Sequence, residues 1–519
     1  QESEEEVALS MAGNKRFPCG VGLIGFTVAL VCCGWPLTAA FAQDKPDRDQ
    51  NPLQLRPMQL VEPGLARSSD LADLSGPPGA FGFESFIEMV DRHYPKLQSA
   101  DAERRIAGAK RLEKAGAFDP VLNGVNEYLR VQDIVNPGKA KQAIHNEAQV
   151  DLLTRSGIKL FTGMRLNPND TKTPLLPSGR AGEYYGGMSV PLLRGFIQNE
   201  KNVAEKQAKL GEPLAAQLYK LTRLELLLKA ATTYWECIGA RSRIDVAQNL
   251  LKIAETRVGQ IKERVAKGDS PALEIAEAEQ EIQRRQAALI KTEREFQKAC
   301  LSLSVFFWDE NGVPKAIPKD SLPALSPSPR RLTDSEWFDG RRKAIELRPE
   351  LKKINLEREQ VKVELKLAQN MLLPAMNLYY MQGADTGPQG IGLVMRAGVN
   401  VSAPLRQRTA RGQIEAARLK IEKLNFDEKA EKQRIQAEVD DTVSAINTSY
   451  DRFAATEQEV KKAKDVEAGE RLRYGAGDST LFLVNQRERT TAEAQMRLLE
   501  THVEYLQALS AFKAVTCRL

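Results

Sequence analysis

Two stretches of this chain nearly coincide: SVPLLRG, Ser189 to Gly195, and SAPLRQR, Ser402 to Arg408. HYPKL around Pro95 returns as LRPEL around Pro349, and FDPVLN at Pro120 returns as LLPAMN at Pro374, both offset by 254 positions. AKGDSPALEIAEAE from Ala266 matches GAGDSTLFLVNQRE from Gly475, with Gly268 and Gly477 now 209 positions apart. Ordered echoes at nearly constant offset mean two copies of one unit, so whatever the chain folds into is built twice. The offset falls from 254 at Pro120 to 213 at Pro191, so the first copy carries 41 extra residues between those prolines.

The copies read as residues 83–310 and 337–519, joined by a linker at 311–336. Each opens with a helical stretch, 84–115 and 337–370, that breaks at a proline, and strands follow at about 121–193 and 375–403. IGLVMRAGVNVS alternates: Ile391, Leu393, Met395, Ala397, Val399 and Val401 share one face. With MNLYYMQ before it, this predicts a β-hairpin. In the first copy the outer strands read as Val121 to Val131 and Tyr184 to Leu193, and the insertion adds the alternating run GIKLFTGMRL. Such strands suit either a half-buried soluble sheet or a barrel wall between lipid and water.

The helices are longer. Over 198–265 the apolar positions Leu214, Leu218, Leu221, Leu224, Leu228, Ala231, Trp235, Ile238, Leu251, Val258, Ile261 and Val265 recur in steps of three and four. That spacing predicts a left-handed coiled-coil seam, on a rod roughly 100 Å long at about 1.5 Å per residue. A second rod spans 414–474, and after each comes a Gly-Asp-Ser turn and a shorter returning helix, 272–306 and 481–515. Opening and returning helices stacked end to end would match one long rod. Pro213, beside Gly211, is expected to kink the first rod near its start.

A net charge of +5, with 28% charged and 6% aromatic residues, excludes a nucleic-acid partner and a disordered chain. The three histidines, His93, His145 and His502, have no spaced ligand or nucleophile partners, and there is no Gly-rich phosphate loop. No enzyme, metal or cofactor is expected. Lys15 and Arg16 precede a charge-free run, Phe17 to Ala42, that ends in TAAFA. This reads as a secretory signal cleaved after Ala42, with translation starting at Met11; a retained anchor is the alternative, because the run is long enough to span. Residues 43–82 read as a disordered leader. Cys19, Cys32 and Cys33 fall in the signal, and the remaining Cys237, Cys300 and Cys517 suggest no disulfide framework. Leu30 and Val31 are poor residues for a lipoprotein cleavage box before Cys32. No later segment has 18 consecutive apolar residues, so such a chain would enter a membrane only by strands.

From Phe83 to Leu519 the chain resembles the TolC-like outer-membrane efflux proteins of Gram-negative bacteria. The resemblance rests on LRPEL before a helix, a Leu-Pro break into a strand, VPLLRG leading into a long helix with Tyr234-Trp235, and the RYGAGDST turn, in family order and duplicated. It implies a mostly α fold with a membrane β-barrel: a homotrimer giving four strands per chain to a twelve-stranded barrel, continued by a twelve-helix periplasmic tunnel. It also implies a passive exit duct, docked to a periplasmic adaptor and an inner-membrane transporter and surrounded by outer-membrane lipid. Pro120, Pro191, Pro374 and Pro404 would mark the barrel-to-tunnel transitions. Gly268, Asp269, Ser270, Gly477, Asp478 and Ser479 would be adaptor-docking tips; read locally, they are helix breaks with Asp or Ser as N-caps. Glu274, Arg473 and Tyr474 would form a periplasmic gate, and Arg396 and Asn400 would face the lumen. The acidic residue usual after the second tip is absent here, with Leu483 and Gln486 nearby. The alternative is a periplasmic coiled-coil scaffold or adaptor, but adaptors carry one helical hairpin and a biotinyl-like domain.

Overall fold

The computed structural model describes residues 81–132, 140–167, 178, 181–317, 322–387 and 390–519. The signal-like segment at 1–42 with its three cysteines, and all but the last residues of the 43–82 leader, lie outside the described residues.

Each expected opening helix is two helices: α1 (Phe83–His93) with α2 (Pro95–Ala115), and α5 (Asp334–Leu347) with α6 (Pro349–Asn370). The break falls at the residue before each proline, where Cδ of the ring excludes the α region; Tyr94 has ψ 120° and Arg348 ψ 127°. α5 starts three residues earlier than expected because Thr333 and Glu336 form a reciprocal capping box. The long rods are α3 (Glu200–Ala266) and α7 (Arg408–Gly475), and the returning helices are α4 (Leu273–Ser304) and α8 (Leu481–Val515). α3 continues through Pro213 without a break. α2 and α4 lie along α3, while α6 and α8 lie along both α3 and α7, so the helices make four columns side by side.

The densest packing surrounds the Tyr-Trp pair of α3. Phe83 stacks on Trp235 with centroids 4.9 Å apart, and Tyr234 packs on Phe83 and Phe86. Both buried aromatics keep a polar partner, as burial demands: the Tyr234 hydroxyl donates to the Phe81 carbonyl at 2.7 Å and the Trp235 indole to Ser510 Oγ at 3.0 Å. In the same region the Cys237 and Cys300 sulfurs lie 3.4 Å apart as buried thiols between α3 and α4.

The strands are β1 (Val121–Gln132), β2 (Ala140–Leu153), β3 (Lys159–Leu166), β4 (Glu183–Pro191), β5 (Ala375–Gly387) and β6 (Gly390–Ser402). They form one antiparallel sheet in sequence order, β1-β2-β3-β4-β5-β6. The chain therefore carries six strands where the resemblance implies four. The inserted stretch is a whole hairpin, β2 with β3, threaded into the sheet between β1 and β4. Only β3 was visible as an alternating run; AKQAIHNEAQVDLL, rich in Ala, Gln and acidic residues, lacks the β-branched signature of a strand.

Candidate functional site

The pairing register sorts the sheet into two faces. One carries Leu122, Tyr128, Ile144, Val150, Leu160, Met164, Met188, Leu378 and the alternating apolar set of β6. The other carries Glu127, Glu147, Asp151, Lys159, Arg165, Glu183, Asp385 and Arg396; β1 mixes the two, with Val121, Val125 and Leu129 on the charged face and Asn126 and Arg130 on the apolar one, where Asn126 pairs with Asn146 of β2. Arg396 and Asn400 share the charged face. On that face Phe161, Tyr185 and Met381 are buried together. Phe161 lies over Gly187, and Tyr185 sits between Gly163 and Gly383, its neighbours in register. A Cβ at Gly187 would meet the Tyr380 carbonyl oxygen at 2.3 Å, so the close approach of backbone requires glycine there.

All four prolines stand at strand–helix junctions. Pro120 and Pro374 immediately precede β1 and β5, Pro191 ends β4, and Pro404 follows β6 by two residues. The β4 exit crosses the β5 entry, where the Leu192 amide donates to the Met376 carbonyl at 2.7 Å.

At the other end of the rods both Gly-Asp-Ser turns take one form. Gly268 (φ +85°) and Gly477 (φ +86°) are left-handed. Their amides donate to Val265 and Tyr474 carbonyls, and the following Asp269 and Asp478 amides to Arg264 and Arg473 carbonyls at 2.9 Å. These are Schellman terminations, and glycine is needed for its backbone rather than for space, since nothing lies within 4 Å of an added Cβ. Neither Asp nor Ser caps the next helix: Thr480 caps α8, and Ala272 precedes α4 with no side-chain cap. The returning helices begin three residues beyond Ser270 and two beyond Ser479, so neither serine stands at the cap position. Ser479 Oγ instead donates to Glu470 at 2.5 Å.

Of the three expected gate residues the structure joins two. The Tyr474 hydroxyl donates to Glu274 at 3.1 Å, and Arg264 lies over the Tyr474 ring. Arg473 turns back to its own turn, donating to the Asp478 carbonyl at 3.2 Å. Higher up lies a group that sequence reasoning missed. Glu488 of α8, 1% exposed, accepts from Arg257 of α3 at 2.8 Å, from Arg285 of α4 at 2.9 Å and from Arg471 of α7 at 2.8 Å. Burial pushes its carboxyl up, but the hydrogen bonds and charges of Arg257 and Arg285 outweigh it and hold it below the ordinary carboxylate range. One carboxylate thus binds all four helical columns. A groove lined by Thr256, Arg257, Arg264, Arg471 and Tyr474 runs between α3 and α7 beside it.

A family model described as outer membrane efflux protein matches residues 186–305 and 341–517, more than half of the chain. The chain belongs to this family. As an outer-membrane efflux protein it is similar in fold to the outer-membrane channel OprN, with 13% identity over 84% of this chain and 89% of that one and a TM-score of 0.62. The Campylobacter jejuni channel CmeC shares 12% identity over 84% and 85% of the two chains, TM-score 0.60. The Vibrio cholerae protein VceC shares 14% over 84% and 95%, TM-score 0.61. No curated sequence is significantly similar to the chain. The efflux protein is mostly helical with one sheet, acts in the outer membrane with its helices in the periplasm, and is not a free-standing scaffold or adaptor. Among the described residues no helix is apolar and long enough to cross a membrane and no side-chain cluster would hold a metal. His145 bonds Asn167 and Glu147, and His502 bonds the Pro327 carbonyl.

Proposed function

We propose that three copies of this efflux protein close their sheets into one barrel through the outer membrane, and their helices into a periplasmic tunnel that passes cargo without an energy source of its own. The observation that carries this reading is the sorting of the sheet: an apolar face suited to lipid, backed by a charged face suited to a water-filled lumen. Arg396 and Asn400 then line the lumen. A lone six-stranded sheet leaves β1 and β6 as open edges, which hydrocarbon does not tolerate, and neighbouring copies satisfy both. The helices point the same way. Exposed large apolar side chains gather on the two outer columns: Ile106, Leu112, Ile290 and Leu301 on one side, Leu419, Phe426 and Leu472 on the other.

In this arrangement Pro120, Pro191, Pro374 and Pro404 mark where the chain passes between barrel and tunnel. The turns at 268–270 and 477–479 are the tips that meet a periplasmic adaptor, which joins the duct to an inner-membrane transporter. The Tyr474–Glu274 bond helps close the entrance. The Ala40-x-Ala42 ending fits a signal that delivers the chain to the periplasm. The test is fractionation with mass photometry of the detergent-extracted protein. Recovery in outer membranes as heat-modifiable particles of three chains is expected; recovery in the periplasmic supernatant, or monomers alone, overturns the reading.

A further inference from the structure

We infer that the inserted hairpin, β2 with β3, supplies two further wall strands in every chain, so that the closed barrel has eighteen strands instead of twelve. The inference rests on the three-chain reading above. Its own support is that the hairpin keeps the register and, apart from Gln142 and Asn146 on the apolar face, the alternation of the wall. Its register with β1 and β4 is unbroken, from Val121↔Asp151 to Gln132↔Ala140 and from Lys159↔Ser189 to Arg165↔Glu183. Its apolar side chains, Ile144, Val150, Leu152, Leu160 and Met164, continue the apolar face, and Glu147, Asp151, Lys159 and Arg165 continue the charged one. A plug or lid detached from the wall has no reason to keep that alternation in phase with both neighbours.

The turn between β2 and β3 is also anchored where a wall strand must turn, at the start of the long helix. Arg155 forks onto Glu205 of α3 at 2.9 and 3.0 Å, and Glu205 is 2% exposed. The Arg155 carbonyl accepts from Asn199 and Asn202, and the Ile197 amide donates to the Ser156 carbonyl. A Cβ on Gly157 would meet the Gly195 carbonyl oxygen at 2.4 Å, so turn and helix start are in direct contact. Arg155 also lies over the Phe118 ring, just before β1. The added turn is thus built into both helix–strand junctions of the first copy.

The girth of an eighteen-stranded barrel is compatible with the helices below it. Four helical columns from each of three chains, packed about 8–10 Å apart, need a ring about 100–120 Å round. Twelve strands about 4.8 Å apart and tilted about 40° close a ring of only about 75 Å, whereas eighteen close one of about 110 Å. With the insertion, barrel and tunnel meet at matching girth and ordinary strand tilt. The exit is about half as wide again as a twelve-stranded one.

Cryo-electron microscopy of the full protein in lipid nanodiscs counts strands and chains separately. Eighteen strands around three chains is the expected result. Twelve strands around three chains, with 140–166 outside the wall, overturns the inference while leaving the trimer intact; any other number of chains overturns the trimer reading first. Cysteine labelling in liposomes gives an independent check. Val150→Cys and Met164→Cys should react with a lipid-dissolved maleimide and resist a water-soluble one at least tenfold more than Gln149→Cys does. Equal reaction of all three with the water-soluble reagent would place the hairpin in the lumen or the periplasm and end the proposal.

Discussion

The phenol of Tyr474 donates to Glu274 across 3.1 Å and so ties the end of α7 to the start of α4. Burial, then the charge of Glu274, pushes the phenol pKa up, so the group stays a donor through the whole physiological range. If this bond holds the entrance closed, Tyr474→Phe should shift the closed-to-open balance by about 1 kcal/mol, roughly fivefold. Open probability in planar bilayers is the measurement. Openings indistinguishable from those of the unaltered protein would mean the bond only caps a helix end.

Glu488 should matter more than its single charge suggests. Glu488→Ala leaves Arg257 buried with Asn485 but no carboxylate and Arg285 with Glu281 as its one carboxylate, at a cost of about 3 kcal/mol. Glu488→Gln keeps shape and should cost less. Because the folded carboxyl sits below its ordinary value, its contribution is complete above that value and is lost as pH falls through the depressed one. Protease nicking near the rod ends, followed from pH 7 downward, should rise in acid for the unaltered protein and be high at neutral pH for Glu488→Ala.

In the proposed duct the two tip glycines serve docking and not assembly, and a double variant tests this. Replacing Gly268 and Gly477 together with leucine forces a side chain onto a left-handed backbone, about 1–2 kcal/mol at each turn, in open space where no packing is lost. Adaptor co-purification and export should fall while trimer yield in the outer membrane holds. Intact docking would reduce the turns to helix breaks, and loss of the trimer would put them in the folding core.

Two sheet glycines make a matched pair. Gly187→Ala drives a methyl into the Tyr380 carbonyl, whereas Gly398→Ala enters empty space. Heat-modifiable trimers should disappear for the first and survive for the second. Survival of both would mean that β4 and β5 separate more easily than their register implies.

Rods, tips and the hairpin of the second copy were legible because each has a strong local signal: a repeat near 3.5 residues, a left-handed glycine, a strict alternation. The breaks at Tyr94 and Arg348 were equally local and follow from the proline that each precedes. β2 was not legible, since its alternation carries no β-branched run and its strand character comes from β1 and β3 on either side. Glu488 was invisible for a different reason. Its three arginines come from three other helices, and nothing in the spacing of Arg257, Arg285 and Arg471 foretells one shared carboxylate.

The open edges of β1 and β6 also set a timetable. In the proposed three-chain barrel, twelve residues of backbone on one rim and thirteen on the other find their partners only when further copies arrive. Barrel closure is then a collision event as well as a folding event, and its rate climbs steeply with the local density of newly exported chains. Dilute expression should leave protease-sensitive single chains waiting in the periplasm, and a burst of synthesis should clear them.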